Sequence, residues 1–366
     1  MVQLPPPAGR VHQAWSVLCI GAMAAAAQQH YAAHGRATLR SAGLGAVPTF
    51  TELVHTFPLR LLAPHASMRN ATAATTKQQP AGKGVGVLYV VSFGGGLVSG
   101  DQVSLDVDVG SDTRLLMLTQ GSTKVYRERR GGDLPGRIAA PLPEAPVSRQ
   151  TMRYLVRPGA TLVLLADPVT CFARARYSQV QRVDLRCADT SSLVLLDWFT
   201  SGRLAVDEGA RLPELWHFYL YHSRNEVRAN GEVIARDVQW LEQALPGPLR
   251  ADTHTELARR CQPYTCYATL ILFGVETGEV RSALLQEFAS IQQSQPLVRA
   301  GGSSVASSVR PPEVLWSASP LDMGARGVVV RLAGIETHAL RSWLRERLKP
   351  LRALIGDDLY RVGLGG

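Results

Sequence analysis

The segment Phe93-Gly94-Gly95-Gly96-Leu97-Val98-Ser99-Gly100-Asp101 packs four glycines into seven positions between two strand-like runs. Glycine is used that densely where the backbone takes conformations closed to other residues, or where a second backbone comes close. Before it, Val87-Leu88-Tyr89-Val90-Val91 is continuously apolar. After it, Val103, Leu105, Val107 and Val109 alternate with Gln102, Ser104, Asp106 and Asp108, the period of a half-buried strand. A dinucleotide-binding loop is excluded on two grounds. That fingerprint needs a helix at this point to face the pyrophosphate, and its glycine spacing differs. The segment reads as strand, turn, strand.

Strand signals continue from about Phe50 to Gly274. Val180 to Cys187 alternates in its second half, and Ser192 to Phe199 is nearly all apolar. Trp216, Phe218 and Leu220 alternate with His217, Tyr219 and Tyr221. Asn230-Gly231 between Val227 and Val233 is a strong hairpin signal. Short strands recurring with turns between them predict a mainly β chain, as a sandwich, barrel or stacked sheets. Two helices are predicted late. Val280, Ala283, Leu284, Phe288 and Ile291 form one stripe after Thr277-Gly278. Ala339, Leu340, Trp343, Leu344 and Leu348 form another, with Thr337 as N-cap and Pro350 as stop. Arg341, Arg345 and Arg347 interrupt that stripe and are expected to face water. A third, shorter helix is predicted over Asp237 to Leu245. Residues 72–84, 129–148 and 292–312 have the small, polar, Gly- and Pro-rich composition of loop insertions.

The glycine turn is followed by Arg114-Leu115-Leu116-Met117-Leu118-Thr119-Gln120-Gly121-Ser122-Thr123-Lys124-Val125-Tyr126-Arg127. A GGLVSGD turn, a strand and then TQGSTKVYR resemble the UreD (UreH) family of urease accessory proteins. Leu165-Ala166-Asp167-Pro168-Val169 resembles that family's L-P-D-P element. Asp197-Trp198-Phe199-Thr200-Ser201-Gly202-Arg203, closing on Glu208, is similar to its D-W-x-x-x-G-R…G-E stretch. Tyr221 to Val227, Trp316-Ser317-Ala318 and Gly327 to Arg331 also fit. The order is kept from about residue 35 to the end, and the S-G-D and G-S-T-K wording resembles eukaryotic members most.

The resemblance implies a stacked, helically wound β-sheet scaffold with two or three helices towards the C-terminus. It implies one domain over 35–366, with residues 1–34 an unstructured or targeting-like extension. It also implies a non-catalytic metallochaperone scaffold, working with UreF and the GTPase UreG to insert nickel into apo-urease. Nickel would be transient cargo with no stoichiometric site, and no cofactor would be held tightly. In such proteins Asp101, Thr123, Asp167 and Glu208 would line an internal tunnel. Asp207 stands before Glu208 where the family has glycine. Gly95, Gly96, Gly100, Ser122, Pro168 and Gly202 belong to the framework of these motifs. Lys124, Tyr126, Arg127 and Arg203 read as structural or partner-facing, because a cation path does not welcome neighbouring cations.

Composition is consistent with this without requiring it. The 366 residues carry 39 Lys and Arg against 30 Asp and Glu, a net charge of +9. Acidic partners follow more naturally than nucleic acid, because the basic residues are scattered and no RNA-binding or helix-turn-helix signature accompanies them. Five cysteines without framework or zinc spacing point to a reducing compartment, hence cytoplasm. The first fifty residues lack acidic side chains and carry Arg10, Arg36 and Arg40, as organelle transit peptides also do. Val17 to Ala27 is too short an apolar run to cross a bilayer.

Two further readings stay open on the residues alone. Asp101 and Asp167 are also ordinary turn-forming acids, which leaves a pure interaction module without a metal path. Asp101 and Glu208 as an acid/base pair would make a hydrolase. No G-x-S-x-G, H-E-x-x-H or P-loop occurs, and Gly82-Lys83-Gly84 lacks the glycine spacing and trailing hydroxyl of the last. His217 and His222, five apart in a strand-like run, point to opposite faces. Cys261 and Cys266, downstream of His254, read as core thiols.

Overall fold

The structure is a computed structural model. It describes residues 32–43, 46–64, 83–127, 146–203, 214–243, 255–294, 312–321 and 326–365. The chain opens with β1 (Ala32–Arg40), β2 (Thr49–His55) and β3 (Leu59–Leu62), then winds in coils. Each of the first three coils lays a long strand in one sheet, a short strand at a corner, and a long strand in a second sheet. They are β4 (Val85–Ser92), β5 (Gly96–Leu97) and β6 (Gln102–Val109), then β7 (Arg114–Thr119), β8 (Thr123–Val125) and β9 (Ser148–Val156), then β10 (Thr161–Leu165), β11 (Val169–Cys171) and β12 (Arg176–Leu185). A fourth consists of β13 (Ser192–Thr200) and β14 (Leu220–Ala229). The strands β15 (Glu232–Glu242), β16 (Cys266–Phe273), β17 (Val314–Pro320) and β18 (Gly327–Gly334) complete the sheets.

One sheet runs β15-β14-β12-β9-β6-β1-β2 and the other β17-β18-β16-β13-β10-β7-β4-β3. Strands β6, β9, β12 and β14 pair in parallel, as do β4, β7, β10 and β13. Parallel neighbours need a crossover. Here each sheet's strand serves as the crossover for the other. This is the mainly β, stacked and coiled scaffold that the strand spacing and the resemblance implied.

A helical layer covers the outer face of the second sheet. The short α1 (Glu256–Cys261) instead turns Leu257 and Ala258 into the core between the sheets, and the layer consists of α2 (Gly278–Ser294), α3 (Thr337–Arg347), α4 (Leu351–Ile355) and α5 (Asp357–Leu364). Two cores follow from these three layers. Leu39, Leu105, Leu115, Leu162 and Leu193 fill the space between the sheets. Leu116, Val163, Val194, Leu270, Leu340 and Leu344 fill the space beneath the helices. Strand β13 belongs to both and is buried along its whole length, which explains its nearly continuous apolar run, interrupted at Asp197.

Several expectations give way. Residues 237–242 are strand, because the hairpin at Asn230-Gly231 carries β15 antiparallel along β14 from Glu232 to Glu242. Trp216 to Tyr219 precede the strand that begins at Leu220. Five helices form among the described residues, because the chain continues past Pro350 into α4 and α5. Residue Glu336, without a side-chain bond, precedes α3, and Thr337 is its first residue. Ala283 and Ile291 of α2 are exposed, while Val280 and Leu284 are buried. The three arginines of α3 are half-buried rather than solvated. Arg341 pairs with Asp167, Arg345 donates to the Gly365 carbonyl, and Arg347 pairs with Glu287 and lies over the Trp343 ring. Long arginine stems cover apolar surface while the head finds a partner. Residues 1–31, Asp207, Glu208, His254 and most of the three insertions lie outside the described residues.

Candidate functional site

The corner strands bring the sequence motifs together. Gly96 is the register partner of Lys124, Lys124 of Thr170, and Thr170 of Thr200. The glycine turn, the TQGSTK turn, the D-P turn and the end of the D-W strand are therefore one corner of successive coils. Glycine is required here for two separate reasons. Gly94 and Gly95 have φ of 76° and 74°. At Gly96 a Cβ would sit 2.1 Å from the Lys124 carbonyl oxygen.

This corner opens into a cavity of about 390 Å³ between the sheets. Gly95, Gly96, Ser122, Thr123 and Asp167 line it at the corner, and Gln150, Gln179, Gln181 and Asp197 line it further along the strands. Asp101 is not among the lining residues. It is 2% exposed, and its Oδ2 accepts a 2.9 Å bond from the Val98 amide, closing the turn. The amide of Thr123 donates to the Pro168 carbonyl, and that of Asp167 to Thr119 Oγ1. The Tyr126 hydroxyl donates to the Gly94 carbonyl at 2.9 Å. Arg203 forks onto Glu214 and lies 4.5 Å from the Phe172 ring centroid. Gly202 lies against the Glu214 carbonyl. Lys124 and Arg127 are exposed, and Gly100 is buried in the turn.

Sequence reasoning missed the centre of the cavity. Two polar rows cross the inner face of the first sheet by register. One is Gln150, Gln179, Ser223 and Gln239, and the other includes Gln181, Asn225 and Asp237. Facing them is Asp197, 5% exposed. Its Oδ2 accepts from Ser223 Oγ at 2.6 Å and Asn225 Nδ2 at 2.7 Å, and its Oδ1 accepts from Gln179 Nε2 at 3.1 Å. Tyr154 and Tyr177 donate to the glutamine oxygens. Burial pushes the Asp197 carboxyl above its ordinary range, the Asp237 charge pushes the same way, and the three donors oppose both. The signal was present: inward positions of alternating strands held Gln150, Gln179 and Gln181 where apolar residues are the rule.

The polar path continues beyond Asp197. Its register partner across β16 is Thr269, which donates to Asp237 Oδ2 at 2.9 Å. Gln239 Nε2 donates to the same hydroxyl, and the Gln239 side-chain oxygen has no protein partner among the described residues. Asp237 Oδ1 accepts from Arg331 at 2.7 Å, beside a second cavity of about 240 Å³ that Ser319 and Arg236 also line. Among the described residues no three His, Cys, Asp or Glu side chains gather as a metal-binding group. No described helix is long and apolar enough to cross a membrane.

A coiled two-sheet scaffold whose motifs stack at one corner, over an interior that sets polar side chains among apolar ones, defines the class. A family model described as UreD urease accessory protein matches residues 33–361. Urease accessory protein 4 of Cryptococcus neoformans var. grubii is 32% identical over 334 residues, covering 90% of this chain and 94% of that protein. Urease accessory protein D of Oryza sativa subsp. indica is 32% identical over 310 residues, covering 83% and 88%. Urease accessory protein UreD of Sorangium cellulosum is 36% identical over 273 residues, covering 75% and 71%. The chain belongs to the UreD family of urease accessory proteins.

Proposed function

We propose that this protein is a non-catalytic cytoplasmic scaffold that passes nickel through its interior to apo-urease, in a complex with UreF and the GTPase UreG. The observation carrying this reading is the buried Asp197 in a cavity whose partly apolar walls also carry Thr123, Asp167, Gln150, Gln179 and Gln181. Borderline divalent ions accept oxygen ligands, and transit needs several stops, each weak enough to leave. The oxygen groups run Thr123 and Asp167, Gln179 and Asp197, Thr269, then Asp237. A carboxylate stands near each end, and each is held by an arginine at 2.7 Å. An arriving cation competes with a guanidinium for these oxygens, which keeps binding at the ends weak. GTP hydrolysis belongs to UreG, in keeping with a sequence that contains no P-loop.

The test is urease activation at limiting nickel with Asp197→Asn and Asp167→Ala, alongside co-purification of the complex. The expected result is an intact complex with reduced activation. Normal activation by both variants at limiting nickel would discard the interior route.

A further inference from the structure

Among the described residues the outer face of the first sheet has no helical layer, and its edge strand β15 pairs only with β14. On this face Glu226 has a side chain 1% exposed and is surrounded by four arginines from three neighbouring strands. Arg224 reaches it at 2.5 Å, Arg228 at 2.9 Å, Arg236 at 3.2 Å and Arg182 at 3.4 Å. Four guanidiniums over one carboxylate, with Asp184 beside Arg228 by register, leave the cluster net positive. Each guanidinium carries five N–H donors, and Glu226 engages only some of them. The arginines remain 34–52% exposed. Arg149 extends the patch, whereas Arg153 is paired with Asp106 at 3.2 Å.

Beside the arginines the same face is apolar. Val238 is 51% exposed and Trp240 58% exposed. By register Val238 stands next to Arg224, and Trp240 next to His222, whose ring lies 4.9 Å from it. Exposed edge strands are ordinarily protected by charge or by bulges, and β15 has both, a register shift opposite Val227 and Arg228 and the charged Glu232, Arg236 and Glu242. Here the edge offers a large aromatic side chain, and arginine with tryptophan is the composition of binding hot spots.

We propose that this face, centred on Arg182, Arg224, Arg228 and Arg236 with Trp240 at its edge, docks an acidic protein surface. The proposal rests on the scaffold reading above. Two or more carboxylates of the partner take the free guanidinium donors, and an apolar group of the partner covers Trp240 and Val238. Glu226 holds the arginines in place beforehand, so little side-chain freedom is lost on binding. Charge complementarity selects the occupant. A second copy would set like charges against each other. Nucleic acid is disfavoured by the central carboxylate and by a lone aromatic where single-strand binders carry a series of stacking platforms.

The test measures binding of the full chain to immobilised apo-urease and, separately, to the UreF–UreG complex, with a short RNA duplex as a third probe. The variants are Arg182→Gln/Arg236→Gln, which leaves Arg224 and Arg228 on Glu226, and Trp240→Ala, which leaves the charges untouched. The expected result is a loss of about ten-fold or more in affinity for one protein partner in both variants. The loss in the arginine variant shrinks at high salt, and that in Trp240→Ala persists. Wild-type affinity of both variants for both protein partners overturns the surface and leaves the scaffold reading standing. Tighter binding of the RNA duplex, lost in the arginine variant, overturns it in favour of nucleic acid. Failure of the wild-type chain to bind either partner overturns both.

Discussion

Asp167 Oδ1 accepts a 2.7 Å hydrogen bond from Arg341 Nη2, joining the D-P turn to a helix 174 residues further along. The same guanidinium lies 5.0 Å from the Trp198 ring centroid, and the Trp198 indole donates to the Ala166 carbonyl. This contact therefore pins the helical layer to the corner where the motifs stack. Both partners of the ion pair are partly exposed, so the pair alone contributes little, and the cation–π contact adds a comparable amount. Arg341→Ala is expected to lower stability by about 1–2 kcal/mol. Arg341→Lys keeps the charge but loses the planar stack, and should recover only part of it. Urea denaturation monitored by tryptophan fluorescence checks the order.

Neighbouring glycines of the corner turn are expected to respond differently to alanine. At Gly96 the new Cβ would meet the Lys124 carbonyl at 2.1 Å, so β5 and β8 must separate. A cost of about 2–3 kcal/mol or more is expected from forced backbone movement. At Gly94 the space is open, and only the φ of 76° resists, at a cost of about 1 kcal/mol. Chemical denaturation of Gly96→Ala and Gly94→Ala should keep that order. Equal losses would mean that the strand approach at Gly96 is not tight.

Elements with local signals were legible in the sequence: the alternating β6, the Asn230-Gly231 hairpin, the apolar run of β13 and the stripe of α3. What escaped was set by partners distant in the chain. Nothing near Arg341 announces Asp167, so its helix position looked solvated. Val238 and Trp240 read as part of a helix because the pairing that makes β15 a strand lies across the hairpin on β14. Asp197 was visible within a motif, yet its burial depends on both sheets closing over it. Thr123 and Asp167, from separate motifs, both line the cavity at its corner. Asp101 instead ties its own turn, the ordinary role that its neighbours Val98 and Gly100 also permit.

Glu226 makes an acid-side prediction. Its carboxyl is held down to about 2 from an ordinary 4.5, first by the Arg224 hydrogen bond. A depressed folded-state pKa stabilises the fold above the unfolded value, and the benefit fades as pH falls through the folded one. The wild type should therefore be more stable than Glu226→Gln at neutral pH, and the gap should close between about pH 4.5 and 2. Thermal melts of both proteins across that window measure it. A constant gap would show that the arginines do not set this titration.

Asp197 makes the opposite prediction, because its carboxyl is raised above 3.8 by burial. Below the unfolded pKa both states are protonated, and ionisation costs the fold nothing. As pH rises the unfolded chain gives up its proton first, so the folded state loses ground until the raised value is passed. Asp197→Asn removes this loss while keeping the side chain's size. The difference in melting temperature, variant minus wild type, should therefore grow as pH rises above the ordinary value of 3.8. A stabilised variant that also fails to support urease activation would separate the two roles. The charge would then be kept against the interest of the fold, which is the pattern expected of a group retained for what passes beside it.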